Sequence, residues 1–257
     1  MIPKIIHYCW FGGNPLPPLA LECIASWRKY MPEYEIWMWV EDPSLPSLKG
    51  LEIVADKVME FDVNSIPYTA EAYKQKKYAF VSDYCRFWVL NKYGGVYFDT
   101  DVEVIKSFDD ILTKGAFMGI ELDSMNGNIP TVAPGLGLAC EAGNILIEEL
   151  LKYYEALTFD IANGSPVTIV GHTTEVLKKH GLKEDEGIQK VGDFHIYPSE
   201  YFCPIHNITK RLHITGNTHS IHRYMDSWND KKNKSWKDVI REYIPEWVLL
   251  LINRLKN

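Results

Sequence analysis

The stretch AFVSDYCRFWVLNKYGGVYFDTDVEV, residues 79 to 104, decides the fold and is the place to start. Its first half has helical composition and period, and it stops at the pair Gly94-Gly95, the usual left-handed end of a helix. Val96, Tyr97 and Phe98 then favour a strand. Asp99 and Asp101 do not, and carboxylates at that place are costly unless something positive meets them. In an extended segment residues i and i+2 face the same way, so the two carboxylates are expected to project together. Hard oxygens on one face suit Mg²⁺ or Mn²⁺, which take few protein ligands. A D-x-D triplet alone is equally what two solvated aspartates at a strand end look like. Its place after an apolar strand puts it at the carboxyl edge of a sheet, where α/β proteins bind ligands.

Outward from this block, IPKIIHYC (2–9) reads as a first strand broken by GGNPLPP. LALECIASWRKYMP (19–32) is helical, YEIWMWV (34–40) a second strand, and KVMEF ambiguous. Residues 68–95 are helical, in two pieces. AFMGIEL (116–122) is a strand, ILIEELLKYYEAL (145–157) an amphipathic helix, TTEVLKKHG (173–181) a shorter helix and DFHIYP (193–198) a strand. Strands alternating with helices predict an α/β architecture with a mostly parallel sheet. The pattern divides the 257 residues into one domain, 1–234, and a helical C-terminal extension, 235–257.

Composition narrows the partners. A chain with 46% hydrophobic residues can bury one sizeable core. A net charge of −7 leaves no electrostatic footprint for nucleic acid. The 8 Trp and 15 Tyr suit stacking on sugars and bases, and ordinary cores as well. Cys9, Cys23, Cys85, Cys140 and Cys203 are odd in number with no C-x-x-C pair, which suggests reduced thiols rather than disulfides or zinc. The opening MIPKIIHYCWFGG lacks the pattern of a signal peptide. The longest apolar run, WVLLLI (247–252), is too short to span a bilayer. A cytoplasmic location is expected.

Three further groups carry potential chemistry. Asp83 and Arg86 are i and i+3 on a helix and share a face. They are either a surface ion pair of little consequence or, amid Phe80, Tyr84, Phe87 and Trp88, a charged pair that holds sugar hydroxyls. Trp10 sits where the first strand meets a Gly-Gly turn, placed either to stack on a base or to fill the core. His7, inside that strand, reads as a hydrogen-bonded core histidine. NTHSIHRYMDSW (217–228) is loop-like and offers His219, His222, Asp226, Ser227 and Trp228 to a metal or a diphosphate, or is simply a polar loop.

Four segments in order, IPKIIHYCWFGG, SWRKYMPEYEI, residues 79–104 and HSIHRYMDSW, resemble the glycosyltransferase family with the DXD sugar-binding region, glycosyltransferase family 32. The core pattern is similar to that of the large clostridial glucosylating toxins. The order S-D-x-x-R followed by Y-G-G-x-Y-x-D-x-D is the most specific part. The resemblance implies a GT-A fold using Mn²⁺ or Mg²⁺ and a nucleotide sugar. By the match, Trp10 would stack on the nucleobase, with Cys9 beside it in the nucleotide site. Asp83 and Arg86 would hold the donor sugar. Asp99 would touch ribose, sugar or metal, and Asp101 would ligate the metal. His222 or Asp226 would complete the metal shell, and Ser227 and Trp228 would meet the β-phosphate. Before its S-W this chain has His-Arg-Tyr-Met-Asp where the family usually shows a His-rich tract.

The expected activity is therefore transfer of a hexose, with a UDP-hexose favoured over GDP-mannose, to a glycan or lipid-linked oligosaccharide in surface polysaccharide synthesis. The resemblance implies retention of anomeric configuration, and since no enzymic nucleophile stands out the expected route is a same-face, donor-assisted displacement. A metal-dependent phosphohydrolase or nucleotidyltransferase would share the aspartates without needing Trp10, Asp83 and Arg86 together. A non-catalytic sugar-binding protein would need no nucleotide. The basic, amphipathic 235–257 segment would either lie on the inner face of the plasma membrane or pack on the domain.

Overall fold

The computed structural model describes residues 1–45, 54–123, 130–160, 167–184, 187–206, 208–225, 244–246 and 248–250. The first unit is β1 (Ile5–Cys9), α1 (Pro18–Tyr30) and β2 (Glu35–Val40). β1 and β2 pair in parallel, Ile5 opposite Glu35 through Cys9 opposite Trp39. Their side chains alternate between two cores. Ile6, Tyr8, Ile36, Met38 and Val40 enter one, while Trp37 and Trp39 enter the other. A strand apolar on both faces belongs inside a sheet covered by helices on both sides. KVMEF resolves as β3 (Lys57–Glu60), an outer strand parallel to β2.

The helical stretch is indeed in two pieces, α2 (Pro67–Lys74) and α3 (Tyr78–Tyr93), broken at Lys76, whose φ is 59°. α3 ends as the sequence predicts. Gly94 has φ 65° and its N–H bonds the Leu90 carbonyl at 2.8 Å. At Gly95 a Cβ would come within 2.6 Å of the Ile5 carbonyl oxygen. The pair thus lets the chain turn and enter the sheet at once beside β1.

β4 (Gly95–Tyr97) pairs parallel with β1, but the strand does not continue through the aspartates. Val102 N–H bonds the Asp99 carbonyl at 3.1 Å, closing a turn, before β5 (Val102–Val104) departs. After α4 (Asp109–Leu112) come β6 (Phe117–Leu122), β7 (Thr131–Val132) and β8 (Leu138–Cys140). Next are α5 (Ile145–Glu155) and α6 (Ile169–Lys179). β9 (Gln189–Val191), β10 (Phe194–Tyr197), α7 (Ser199–Phe202) and β11 (Ser220–His222) follow.

The main sheet runs β3-β2-β1-β4-β8-β6-β10-β9, with β7 beside β6. Strands β3, β2, β1, β4, β6 and β10 share one direction, because antiparallel β8 sits between β4 and β6. The sheet is therefore mostly parallel, as expected. The inserted β8 has no counterpart in the strands predicted from sequence. One core layer receives residues of α2, α3, α5 and α6. The other receives α1, α4 and α7. β5 and β11 form a separate antiparallel ribbon, His222 opposite Val102, and the Trp27 indole N–H holds it by donating to the Val102 carbonyl at 2.7 Å.

His7 is the core histidine expected. The Trp39 indole donates to its Nδ1 at 3.1 Å, so Nε2 carries the proton and donates to the Gly94 carbonyl at 2.9 Å. Burial lowers its pKa to about 4, so the ring is neutral. All five cysteines are buried and free. Of the predicted 235–257 extension, only residues 244–246 and 248–250 are described. They pack on the domain: Arg211 donates to the Ile244 carbonyl at 2.5 Å, and Thr209 to Glu246 at 2.9 Å. Among the described residues no helix is long and apolar enough to cross a membrane.

Candidate active site

β2, β1 and β4 run parallel, so their carboxyl ends lie along one edge. Trp10 follows β1 there and Asp99 follows β4 by two residues, as the sheet-edge argument requires. Asp83 and Arg86 on α3 meet Asp99 at this edge. Arg86 is 4% exposed at its side chain and bridges two carboxylates: Nη2 to Asp83 Oδ1 at 3.1 Å and Nη1 to Asp99 Oδ2 at 3.3 Å. Its guanidinium also lies 4.7 Å from the centre of the Tyr97 ring, and the Tyr97 hydroxyl donates to Asp99 Oδ1 at 3.1 Å. The i,i+3 pair is thus no solvated surface bridge. Of the three, Asp99 is the member that reaches solvent, at 32% exposure.

The electrostatics follow from burial. Burial pushes the Asp83 carboxyl up to about 7, with Arg86 opposing and Asp99 reinforcing the rise. Burial also works to lower the Arg86 pKa, but the charge of Asp99, with Tyr97 and Asp83, carries it above its ordinary value. Arg86 remains the fixed positive charge around which the two acids compete.

Asp101 faces a different partner, which corrects the same-face expectation: the turn at 98–101, not an extended strand, sets the two directions. Asp101 Oδ1 lies 3.3 Å from His222 Nε2, and Oδ2 accepts the Met225 N–H at 2.9 Å. Burial works to raise the Asp101 pKa, but the His222 contact and the Met225 N–H hold it below the ordinary range. His222 moves the other way: burial would lower it, and the bond and charge of Asp101 leave it raised. The charge of Asp99 adds to the rise, as a smaller influence than burial or Asp101.

The remaining predicted residues fall as follows. Trp10 is half-buried, with its indole N–H on the Asn14 carbonyl at 2.6 Å. Cys9 is buried beside Cys85. His219 turns away from this edge, bonding Asp110 at 2.8 Å. Asp226, Ser227 and Trp228 lie outside the described residues. Among the described residues no three His, Cys, Asp or Glu side chains form a metal-holding group. Asp101 and His222 form a two-ligand site, one hard oxygen donor and one imidazole. That set fits an ion such as Mn²⁺, which keeps the rest of its shell for water and phosphate.

Gly135 was not singled out from sequence. Its carbonyl accepts the Asp99 N–H at 3.0 Å, and a Cβ there would lie 1.8 Å from Asp99 Oδ2 and 3.1 Å from Arg86 Nη1. Only glycine lets Asp99 reach Arg86. The signal available was two glycines one residue apart, Gly135 and Gly137, inside the otherwise apolar run VAPGLGLA.

Residues 17–118 match the family model described as glycosyltransferase sugar-binding region containing DXD motif. The match contains Asp83, Arg86 and the Asp99-x-Asp101 turn. Inositol phosphoceramide mannosyltransferase 3 of Schizosaccharomyces pombe is 31% identical over 113 residues, covering 43% of this chain and 27% of that protein. Subversion of eukaryotic traffic protein A of Legionella pneumophila is 24% identical over 164 residues, covering 60% of this chain and 25% of that protein. The chain thus spans about a quarter of the length of these curated relatives. Among solved structures, PaToxG glycosyltransferase superposes with a TM-score of 0.51 at 20% identity, covering 69% of each chain. Mouse xyloside xylosyltransferase 1 superposes with a TM-score of 0.50 at 12% identity, covering 86% of this chain and 98% of that one. These likenesses are of fold, the mixed α/β GT-A arrangement expected from the sequence.

Proposed function

We propose that the protein is a metal-dependent glycosyltransferase that moves a hexose from a nucleotide sugar to a glycan or lipid-linked acceptor. The observation that carries this reading is the joining of Asp83, Arg86, Asp99 and Tyr97 into one buried network beside Asp101 and His222. A phosphohydrolase would need the acids and metal but not a buried guanidinium next to Trp10's strand end. In this reading Trp10 stacks on the base. Asp83 and Arg86 hold the donor sugar, with Asp99 the exposed acid that touches ribose or sugar. Asp101 and His222 hold Mn²⁺ or Mg²⁺, with Asp226 as a further ligand and Ser227 and Trp228 on the β-phosphate. The ion, when bound, would supply Lewis-acid neutralisation of the departing diphosphate.

This reading assigns no side chain as an enzymic nucleophile, so the transfer proposed is a same-face displacement. The bond from the anomeric carbon to the β-phosphate oxygen breaks. The acceptor oxygen forms the new bond on the same face, and its proton passes to the departing phosphate. Arg86, fixed by two carboxylates, positions Asp99 without reorganising during the step. The donor proposed first is a UDP-hexose, on the strength of Trp10. The mannosyltransferases among the relatives favour a mannosyl donor as the second reading. The acceptor belongs, in this proposal, to surface polysaccharide synthesis at the cytoplasmic face of a membrane.

The test incubates the protein with Mn²⁺ and a panel of UDP- and GDP-sugars and quantifies released nucleoside diphosphate, beside Asp101→Ala and a chelator control. Slow hydrolysis of one donor, abolished in both controls, is expected. Release of inorganic phosphate or pyrophosphate in place of nucleoside diphosphate would overturn the reading. An inverted anomeric configuration in the product, seen by NMR, would overturn the same-face step alone.

A further inference from the structure

Two phenol hydroxyls packed against the helix of Asp83 take no part in the network above. Tyr68 on α2 and Tyr154 on α5 are 2% and 0% exposed, and their phenol oxygens are buried without a hydrogen-bond partner. Their rings meet edge to face at 5.1 Å. α2 and α5 both pack on α3, which carries Asp83, and the Tyr154 ring lies 6.4 Å from Tyr84 and 5.9 Å from Phe87 on that helix. Burial raises the pKa of both phenols and the Asp83 charge adds to the rise, yet neither hydroxyl is bonded to that carboxylate. Neighbouring Tyr84 is different, since its hydroxyl reaches Glu155 at 3.4 Å. Tyr8 and Tyr197 also lack partners, but they sit in the opposite core layer, away from Asp83. Two orphaned hydroxyls beside one buried carboxylate are a costly arrangement that native proteins keep for a reason.

We propose that Tyr68 and Tyr154, together with Asp83, receive one hydroxyl of the donor's sugar and so discriminate among hexoses. This rests on the nucleotide-sugar reading. The hydroxyl donates to Asp83 and accepts from both phenols, which uses all three of its hydrogen-bonding positions. A water molecule in the same place keeps a second O–H to satisfy. The way in is graded: Asp99 is 32% exposed and Asp83 9% exposed at their side chains, so the sugar enters past the outer acid toward the inner one. Phe159, 5.4 Å from the Tyr68 ring, and Phe80, 5.1 Å from Phe159, make the surroundings apolar and strengthen such bonds. A site that hydrogen-bonds a substrate hydroxyl rejects an analogue lacking it far more strongly than a merely apolar one would.

The test is calorimetric binding by the full chain with Mn²⁺. The probes are UDP, GDP, UDP-glucose, UDP-galactose and GDP-mannose, then the deoxy-sugar analogues of the donor that binds best. Tyr68→Phe and Tyr154→Phe keep the rings and their packing. Each is expected to weaken that nucleotide sugar by roughly threefold to tenfold while leaving the bare nucleoside diphosphate unchanged. One deoxy analogue should bind wild type and variants alike. Equal weakening of sugar nucleotide and bare nucleotide, or none, overturns the proposal. So does a variant whose melting temperature shifts while its sugar affinity does not, which marks a purely structural role for that hydroxyl. Failure of wild type to bind any nucleoside diphosphate overturns the nucleotide-sugar reading and this proposal together; binding with unaltered sugar preference in the variants overturns this proposal alone.

Discussion

Asp99 and Asp101 are one residue apart and belong to different structures. Asp99 is tied into the core through Arg86, thirteen residues earlier, on a helix that packs against its own strand. Asp101 is held by a chain segment that returns from far away, its Oδ2 bonded to a backbone N–H 124 residues on. The first carboxylate is tied to a neighbouring helix and still reaches solvent, at 32% side-chain exposure. The second is 13% exposed and joins the β4–β5 turn to the β5–β11 ribbon. One is fixed by local segments, and the other by a distant one.

The largest effects should separate the two. Arg86→Met leaves two carboxylates without their shared cation, and breaking such a buried pairing costs about 3–5 kcal/mol of stability. Urea unfolding should show it as a lowered midpoint, whether or not nucleotide is present. Asp101→Asn keeps an acceptor for Met225 N–H and should cost no more than about 1.5 kcal/mol of stability. Its donor hydrolysis should nevertheless fall by on the order of a hundredfold or more. Equal unfolding midpoints for the two variants would break the comparison.

A smaller effect sharpens the inner side. Gly135→Ala places a methyl on the Asp99 carboxylate, so the acid must swing off Arg86. Overpacking of this kind costs about 1–3 kcal/mol, and because Asp99 is displaced, donor hydrolysis should fall with stability. Gly143→Ala is the control: φ is 70° there and no atom lies within 4 Å of the added methyl, so any loss is backbone strain alone. If both variants lose stability but keep donor hydrolysis, Gly135 does not position Asp99.

Why one side was legible in the sequence and the other was not follows from the same distances. Asp83, Arg86, the Gly94-Gly95 stop and Asp99 fall within seventeen residues, where helix period and turn chemistry are local rules. The apolar alternation of IIHYC and EIWMWV likewise carried β1 and β2. The turn at 98–101 escaped because nothing in DTD distinguishes a strand end from a turn. What closes it is Gly135 and the ribbon partner β11, brought there by tertiary pairing. Antiparallel β8 and the Tyr68–Tyr154 contact are likewise products of packing between segments without local signature.

The gentlest test titrates the inner network. Burial raises the Asp83 carboxyl from 3.8 to about 7 in the folded chain. Between those values the native protein holds a proton that the unfolded chain has released. The associated stability is therefore fully present below pH of about 4 and is lost as pH rises through about 7, with a slope of at most about 1.4 kcal/mol per pH unit. Asp83→Asn cannot titrate and should remove that slope. The outer pair behaves oppositely at its acid end: Asp101, held low, contributes stability that is lost as pH falls through its lowered pKa. The contribution of His222, held high, is lost as pH rises through its raised pKa. Both persist in Asp83→Asn, so the difference between the two urea-midpoint curves over pH 4 to 8 isolates the inner acid. Parallel curves would mean that Arg86 keeps Asp83 ionised throughout, and that the buried side of the site is a fixed ion pair rather than a protonatable one.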